Sequence, residues 1–304
     1  MIVIVAPGQG SQTPGFLEPW VADPAHRARL EQYSLAAGID LVEHGTVSDA
    51  DTIRDTAVAQ PLIVAASLLS AAALLDGRRP HVGAVAGHSV GEFAAAAIAG
   101  VMSDDDAVRL VRERGLAMAD AASAVPTGMS AVIGGDADAL AERLTELGLE
   151  AANLNGGGQT VVAGELNNLA ALAAEPVAGS RVIPLQVAGA FHTSYMSSAV
   201  ERLRAAAGTV SVLDPSIRLY TNRDGSVVTS GSQVVDLLVG QVSSPVRWDA
   251  CMQSFADDGV TGIIELLPGG ALVGLAKRAL KGVPAIAVKT PDDLAAAIEM
   301  LENA

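Results

Sequence analysis

Ser89 is the side chain whose setting most favours chemistry. It stands in Gly87-His88-Ser89-Val90-Gly91, between the apolar run Val82–Ala86, which reads as a buried strand, and Val90–Ala99, which reads as a helix. A serine between glycines at a strand-to-helix turn fits the nucleophile elbow: the sharp turn lifts the hydroxyl out of the sheet, and the glycines avoid a steric conflict there. A plain turn that happens to hold a serine is the simpler reading. A serine nucleophile also needs a base near neutrality, and histidine is the usual one. His26 and His44 lie in charged stretches, and His81 follows Pro80 ahead of a strand, all surface settings. His88 adjoins Ser89, but neighbours along an extended segment point to opposite sides. His192, in Gly189-Ala190-Phe191-His192-Thr193, remains as the candidate base.

Arg114 is the most informative charge. Ser103 followed by Asp104, Asp105 and Asp106 reads as an N-cap with an acidic first turn, so a helix should run from Asp104 to near Ala122. Its apolar stripe is Ala107, Leu110, Val111, Ala117, Met118 and Ala121, and Arg114 falls in the middle of it. Arg109, Arg112 and Glu113 fall off the stripe and read as solvated charges. A guanidinium on a buried face must find an anion. That anion is either an internal acid or a bound carboxylate held in a bidentate socket, unless the stem snorkels to water. Gly8-Gln9-Gly10-Ser11-Gln12 also leaves alternatives open. It is a simple tight turn, a phosphate cradle without the G-x-G-x-x-G spacing or a P-loop lysine, or a loop bringing Gln9 to a reacting carbonyl. In an elbow enzyme the oxyanion hole would combine such a loop with the N–H after the nucleophile, here that of Val90.

The elements that must position these residues follow from hydrophobic periodicity. Met1–Ala6 and Val82–Ala86 read as buried parallel strands. Pro61 reads as the opening residue of an alanine-rich helix through Leu75, with Asp76-Gly77 as its stop. From Thr127 the order becomes strand (Met129–Ile133), helix (Asp136–Leu147), two strands (Leu149–Leu154, Thr160–Ala163), helix (Leu166–Ala174) and strand (Arg181–Val187), the split βαβ pattern. Ile263–Leu266 and Ala285–Val288 read as strands returning to the first sheet. The fold class expected is therefore α/β: a hydrolase-like large subdomain with a parallel sheet (1–126 and 189–304) and an inserted ferredoxin-like subdomain (127–188). His192 would then lie at the junction, where clefts form.

Composition narrows the partners. The 304 residues are 50% hydrophobic and 17% charged, which suits a globular chain rather than a disordered one. A net charge of −15 repels nucleic-acid phosphates and anionic lipids over most of the surface. Cys251 stands alone, so no intrachain disulfide or cysteine-based zinc site can form, and no metal is expected. The longest nearly apolar run, Leu62–Leu75, carries Ser67 and Ser70 and falls short of the roughly 18 residues that suggest a span. A cytoplasmic monomer is expected.

As a set, these residues resemble the malonyl-CoA:acyl carrier protein transacylase family along essentially the whole chain. Pro7-Gly8-Gln9-Gly10-Ser11-Gln12 is similar to its opening motif and Gly87–Gly91 to its elbow. Arg114-Gly115-Leu116-Ala117-Met118 is similar to its carboxylate-binding helix, Ala190-Phe191-His192 to its histidine motif, and the segment from Gln241 to Trp248 to a late motif. The resemblance implies Ser89 as acyl carrier, His192 as base, Gln9 and the Val90 N–H as oxyanion donors, Arg114 as malonyl clamp and the Gln241 backbone carbonyl as orienter of His192. Phe191 would favour malonyl over methylmalonyl, and Met118 would share in acyl specificity. No cofactor is implied, malonyl-CoA and a phosphopantetheinyl acyl carrier protein being the two substrates of a ping-pong reaction in fatty acid or polyketide synthesis. Because such carriers are acidic, docking needs a basic rim, and Lys277, Arg278 and Lys281 form the densest late basic cluster; a solvated helix face is the plainer reading. Two rivals remain: a serine hydrolase, which would have no use for a buried cation at Arg114, and a nucleotide-binding module on the Gly8–Gly10 loop. The second lacks an acidic ribose partner at the end of a second strand, since neither Glu31 nor Asp40 ends one.

Overall fold

The computed structural model describes residues 1–187 and 189–303, so Ala188, the last residue of the expected inserted subdomain, and the terminal Ala304 lie outside the described residues. In chain order the strands are β1 (Ile2–Ala6), β2 (Ala84–Gly87), β3 (Thr127–Gly134), β4 (Glu150–Gly156), β5 (Gln159–Glu165), β6 (Ser180–Pro184), β7 (Arg218–Tyr220), β8 (Val227–Val228), β9 (Val246–Arg247), β10 (Gly262–Glu265) and β11 (Ala285–Ala287).

The first sheet has the order β11-β10-β1-β2-β7-β8. All its pairs are parallel except β7–β8, an antiparallel edge that the sequence did not announce. Strand β1 is buried along its whole length because helices cover both faces. Ile2, Ile4 and Ala6 face a core shared with the Thr56–Leu75 helix, while Val3 and Val5 face one shared with Trp248, Phe255 and Leu272. The second sheet has the order β6-β3-β5-β4-β9. Strands β3 to β6 pair antiparallel in the split βαβ arrangement. Strand β9, from a later stretch of chain, adds a parallel fifth strand beside β4, also not foreseen.

Two long helices carry the site. The first begins earlier than expected: Asp55 caps it by accepting from the Ala57 N–H, and it runs Thr56–Leu75 with Pro61 inside rather than at its start. Proline cannot donate to the carbonyl four residues back. That carbonyl, of Ala57, accepts instead from the Arg112 guanidinium, so Arg112 is a partly buried helix-to-helix tie and not the solvated charge its position suggested. This helix is long and apolar enough to cross a membrane, yet 78% of its most apolar window is buried inside the protein. The second helix, Asp104–Ala124, is capped by Ser103, which accepts from the Asp106 N–H.

Candidate active site

Ser89 sits at the turn between β2 and the Gly91–Ile98 helix with φ +53, the left-handed region that a residue with a side chain adopts only where its surroundings impose it. A Cβ on Gly87 would strike the Gly91 backbone, and one on Gly91 the Ala6 carbonyl, so the elbow closes only with both glycines. Asn222 pins the turn: its Oδ1 accepts from the Ser89 N–H at 2.7 Å and its Nδ2 donates to the Gly87 carbonyl at 2.7 Å.

His192 Nε2 lies 2.6 Å from Ser89 Oγ. Its Nδ1 lies 2.9 Å from the Gln241 backbone carbonyl, and because a carbonyl only accepts, Nδ1 carries the proton and Nε2 is free to accept from the serine. The segment around it is held by Thr127, whose Oγ1 accepts from the Ala190 N–H, and by Thr193, whose hydroxyl donates to the Ala190 carbonyl. Burial, with the Arg114 charge second, lowers the His192 pKa to about 3, so the ring is neutral near pH 7. The other histidines are elsewhere: His88 donates from Nε2 to Asn155 Oδ1, away from the hydroxyl, and His44 pairs with Ser48. His26, half-buried rather than exposed, packs against Trp20.

Arg114 is 1% exposed. Among the described residues no acid forms an ion pair with it. Two neutral amides hold it instead: Nη1 donates to Gln60 Oε1 at 2.6 Å and Nη2 to Gln241 Oε1 at 2.8 Å. Nη2 also stands 3.4 Å from Ser89 Oγ, and Nε has no partner among the described residues. Burial lowers its pKa to about 9, opposed by the nearby Glu92. Of the readings open from sequence, no directly paired acid is found among the described residues, and the buried head group does not snorkel to water.

The Gln9 side chain departs from expectation. Its Nε2 donates to the Arg54 carbonyl at 3.3 Å and Thr56 Oγ1 at 3.4 Å, away from the serine. A short amide anchored to the capped start of the Thr56–Leu75 helix holds the loop in place rather than reaching for an oxyanion. What Gln9 can offer is its backbone N–H, which, like that of Val90, has no partner among the described residues. Gln9, Val90, Met118, Phe191, Ser89 and His192 all line one cavity of about 90 Å³. Lys277, Arg278 and Lys281 are exposed at the far end of the Ala271–Ala279 helix.

Three residues of the site, and the side chain of a fourth, were not read from the sequence. Glu92 had a signal: a carboxylate inside the apolar run Val90–Ala99 is as anomalous as Arg114 on its stripe, and it proves buried. The Gln241 side chain, Asn222 and Gln60 had none, because polar amides on ordinary segments become significant only once distant strands and helices meet.

Comparison with known proteins agrees with this architecture. The family model described as the acyl transferase domain matches residues 3–292. A malonyl CoA-acyl carrier protein transacylase of Mycobacterium tuberculosis is 50% identical over 298 residues, 97% of this chain and 98% of its own. The crystal structure of MCAT from Mycobacterium tuberculosis superposes with a TM-score of 0.95 at 49% identity, covering 98% of this chain and 99% of that one. A malonyl-transacylase solved in complex with its type II PKS acyl-carrier protein superposes with a TM-score of 0.91 at 29% identity, covering 98% and 99%. With its elbow serine, neutral histidine and amide-held arginine in one cavity, this chain belongs to the acyl transferase family, among the malonyl-CoA:acyl carrier protein transacylases.

Proposed function

We propose that the chain moves a malonyl group from malonyl-CoA to the phosphopantetheine thiol of an acyl carrier protein through a malonyl ester on Ser89. In the first half, His192 Nε2 takes the Ser89 proton as Oγ attacks the thioester carbonyl, and the oxyanion is met by the Val90 and Gln9 N–H groups. Collapse breaks the C–S bond, and the departing thiolate of coenzyme A takes the proton from His192. In the second half the carrier thiol gives its proton to His192, attacks the ester, and Ser89 recovers its proton on leaving. Gln241 keeps the imidazole in the tautomer both halves need. The two sheets, one from 1–126 and 189–304 and the other mainly from 127–188, serve as subdomains with the cavity between them.

The observation that carries this reading is the placement of Arg114. A buried guanidinium 3.4 Å from the nucleophile, held by amides and with no ion-pair partner among the described residues, suits the distal carboxylate of a short diacid whose other end is on Ser89. Phe191 and Met118, on the cavity wall, then set the bulk allowed at the carbon between. Intact-mass analysis after mixing with malonyl-CoA tests it: a stable adduct on Ser89, discharged faster by a pantetheine thiol than by water, is expected. Rapid loss to water without thiol would identify a hydrolase instead.

A further inference from the structure

The site holds one buried acid that the mechanism above does not use. Glu92 lies in the first turn of the Gly91–Ile98 helix, behind the nucleophile, and reaches both groups that fix the reacting side chains. Its Oε1 accepts from the Asn222 backbone N–H at 2.7 Å, and Asn222 in turn clamps Ser89 and Gly87. Its Oε2 accepts from Gln241 Nε2, which also donates to the Ser89 carbonyl at 3.0 Å. We propose that Glu92 is a positioning residue, whose carboxylate fixes the orientation of the Gln241 amide and so aims Arg114 at the acyl carboxylate.

The argument is one of donor and acceptor types. Arginine only donates and an ionised carboxylate only accepts. An amide between them has one satisfied orientation, with NH2 toward Glu92 and oxygen toward Arg114. That is the orientation here: Gln241 Oε1 takes the Arg114 Nη2–H at 2.8 Å. Replacing the carboxylate with an isosteric amide changes the pattern. The Asn222 N–H is backbone and cannot reverse, so the new amide oxygen stays with it and its NH2 faces Gln241. Gln241 must then turn its own oxygen toward that NH2 and present NH2 to the guanidinium, two donors face to face. Arg114 loses one of its two amide anchors and the Ser89 backbone carbonyl loses its Gln241 donor, while the His192 ring keeps the Gln241 backbone carbonyl. The loss therefore falls on acyl selection more than on acyl transfer in general.

Protonating Glu92 should act like the amide substitution, since the neutral carboxyl also carries a donor. Burial raises its pKa to about 7, against the hydrogen bonds from Asn222 and Gln241 and the charge of Arg114. The titratable groups around it are Arg114 from the Asp104–Ala124 helix and Cys251 from the Trp248–Asp257 helix, whose thiol burial keeps protonated. Arg223, Asp236 and Arg247 line, with Glu92 itself, a cavity of about 550 Å³.

This inference rests on the transfer reading, and the experiment separates the two. The ratio of malonyl to acetyl adduct formed on Ser89 is measured from the two coenzyme A thioesters, for wild type and Glu92→Gln, between pH 8 and pH 5.5. We expect the ratio to fall about tenfold or more in Glu92→Gln, as loss of a charge-assisted anchor predicts, and to fall in wild type, but not in the variant, as pH drops. A folded Glu92→Gln with the wild-type ratio overturns the proposal. Should the variant not fold, a wild-type ratio constant across the pH range overturns it as well. A wild type that takes no acyl group from either thioester sinks the transfer reading itself, whereas acylation with unaltered selectivity sinks only the role of Glu92.

Discussion

The guanidinium of Arg114, from the Asp104–Ala124 helix, and the hydroxyl of Ser89, from the turn after β2, approach to 3.4 Å although they lie 25 residues apart in sequence. On the proposed function, the contact would make acyl selection and acyl transfer neighbouring events in one cavity. Removing the guanidinium should cost about 2–5 kcal/mol of malonyl recognition, roughly 30- to 4000-fold, since it deletes one partner of a desolvated charge pair. Arg114→Ala should therefore acylate slowly from malonyl-CoA and lose far less with acetyl-CoA. Arg114→Lys should recover little, because a point charge cannot make both amide contacts and a bidentate carboxylate pair. Adduct formation on Ser89, followed by mass with both thioesters, checks the prediction; equal losses for the two would assign Arg114 a purely structural role.

Two buried groups pull stability in opposite directions with pH. His192, lowered from 6.5 to about 3, stays neutral in the folded state while the unfolded chain takes up a proton, so its contribution makes stability fall as pH drops from 6.5 to 3. Glu92, raised from 4.5 to about 7, keeps a proton that the unfolded chain releases, so its contribution makes stability fall as pH rises from 4.5 to 7. Between 4.5 and 6.5 the two offset. His192→Gln should thus make the protein lose stability relative to wild type as pH rises across that window, and Glu92→Gln should make it gain. Urea midpoints at several pH values read the differences directly; parallel curves for all three proteins would contradict the linkage.

How much of this was legible in the sequence depends on the kind of signal. The elbow was visible because its glycines are demanded by local backbone contact, and Arg114 because a charge on an apolar stripe breaks a helical period. The Asp104–Ala124 helix was read nearly to the residue from the Ser103 cap and its acidic first turn. Pro61 misled because proline usually opens a helix; here Asp55 caps it so that it starts at Thr56, before Pro61, and a distant arginine takes the carbonyl that proline leaves free. The Gln241 side chain, Asn222 and the parallel strand β9 depend on contacts across more than ninety residues, which no local period encodes. The Gln9 side chain was read as a possible oxyanion donor because a glycine-rich loop shows that a close approach occurs but not which group makes it.

That last point is testable. With its Nε2 turned to Arg54 and Thr56, the Gln9 side chain should be dispensable to the chemistry. Gln9→Ala should slow acylation less than tenfold, whereas losing an oxyanion donor costs about 100- to 1000-fold in kcat. A fall in the larger range, with an unchanged melting temperature, would restore the side chain to the oxyanion hole.

Phe191 is buried beside His192 and lines the same cavity as Met118. A cavity of about 90 Å³ bounded by a phenyl ring leaves little room for a branch methyl on the acyl group. Phe191→Ser should raise the methylmalonyl-to-malonyl ratio of adduct on Ser89 by about 10- to 200-fold, the range one methyl group is worth in an apolar pocket. An unchanged ratio would place the steric limit elsewhere on the wall, with Met118→Ala as the next variant to measure.

The carrier protein must approach a chain of net charge −15, so association depends on where its few exposed cations lie. Lys277, Arg278 and Lys281 are exposed, and Arg278 lies along Gly157 in the turn between β4 and β5, at the seam where the second sheet meets the first. A cationic rim there would steer an acidic carrier toward the cavity without touching the acyl group. Reversing all three to glutamate should raise KM for the carrier protein and flatten its dependence on salt, because long-range attraction between exposed charges is what salt screens. The same variant should discharge malonyl-Ser89 to free pantetheine thiol at the wild-type rate. If carrier and small thiol are affected alike, the three residues act on the fold; if neither is affected, the carrier docks on another face.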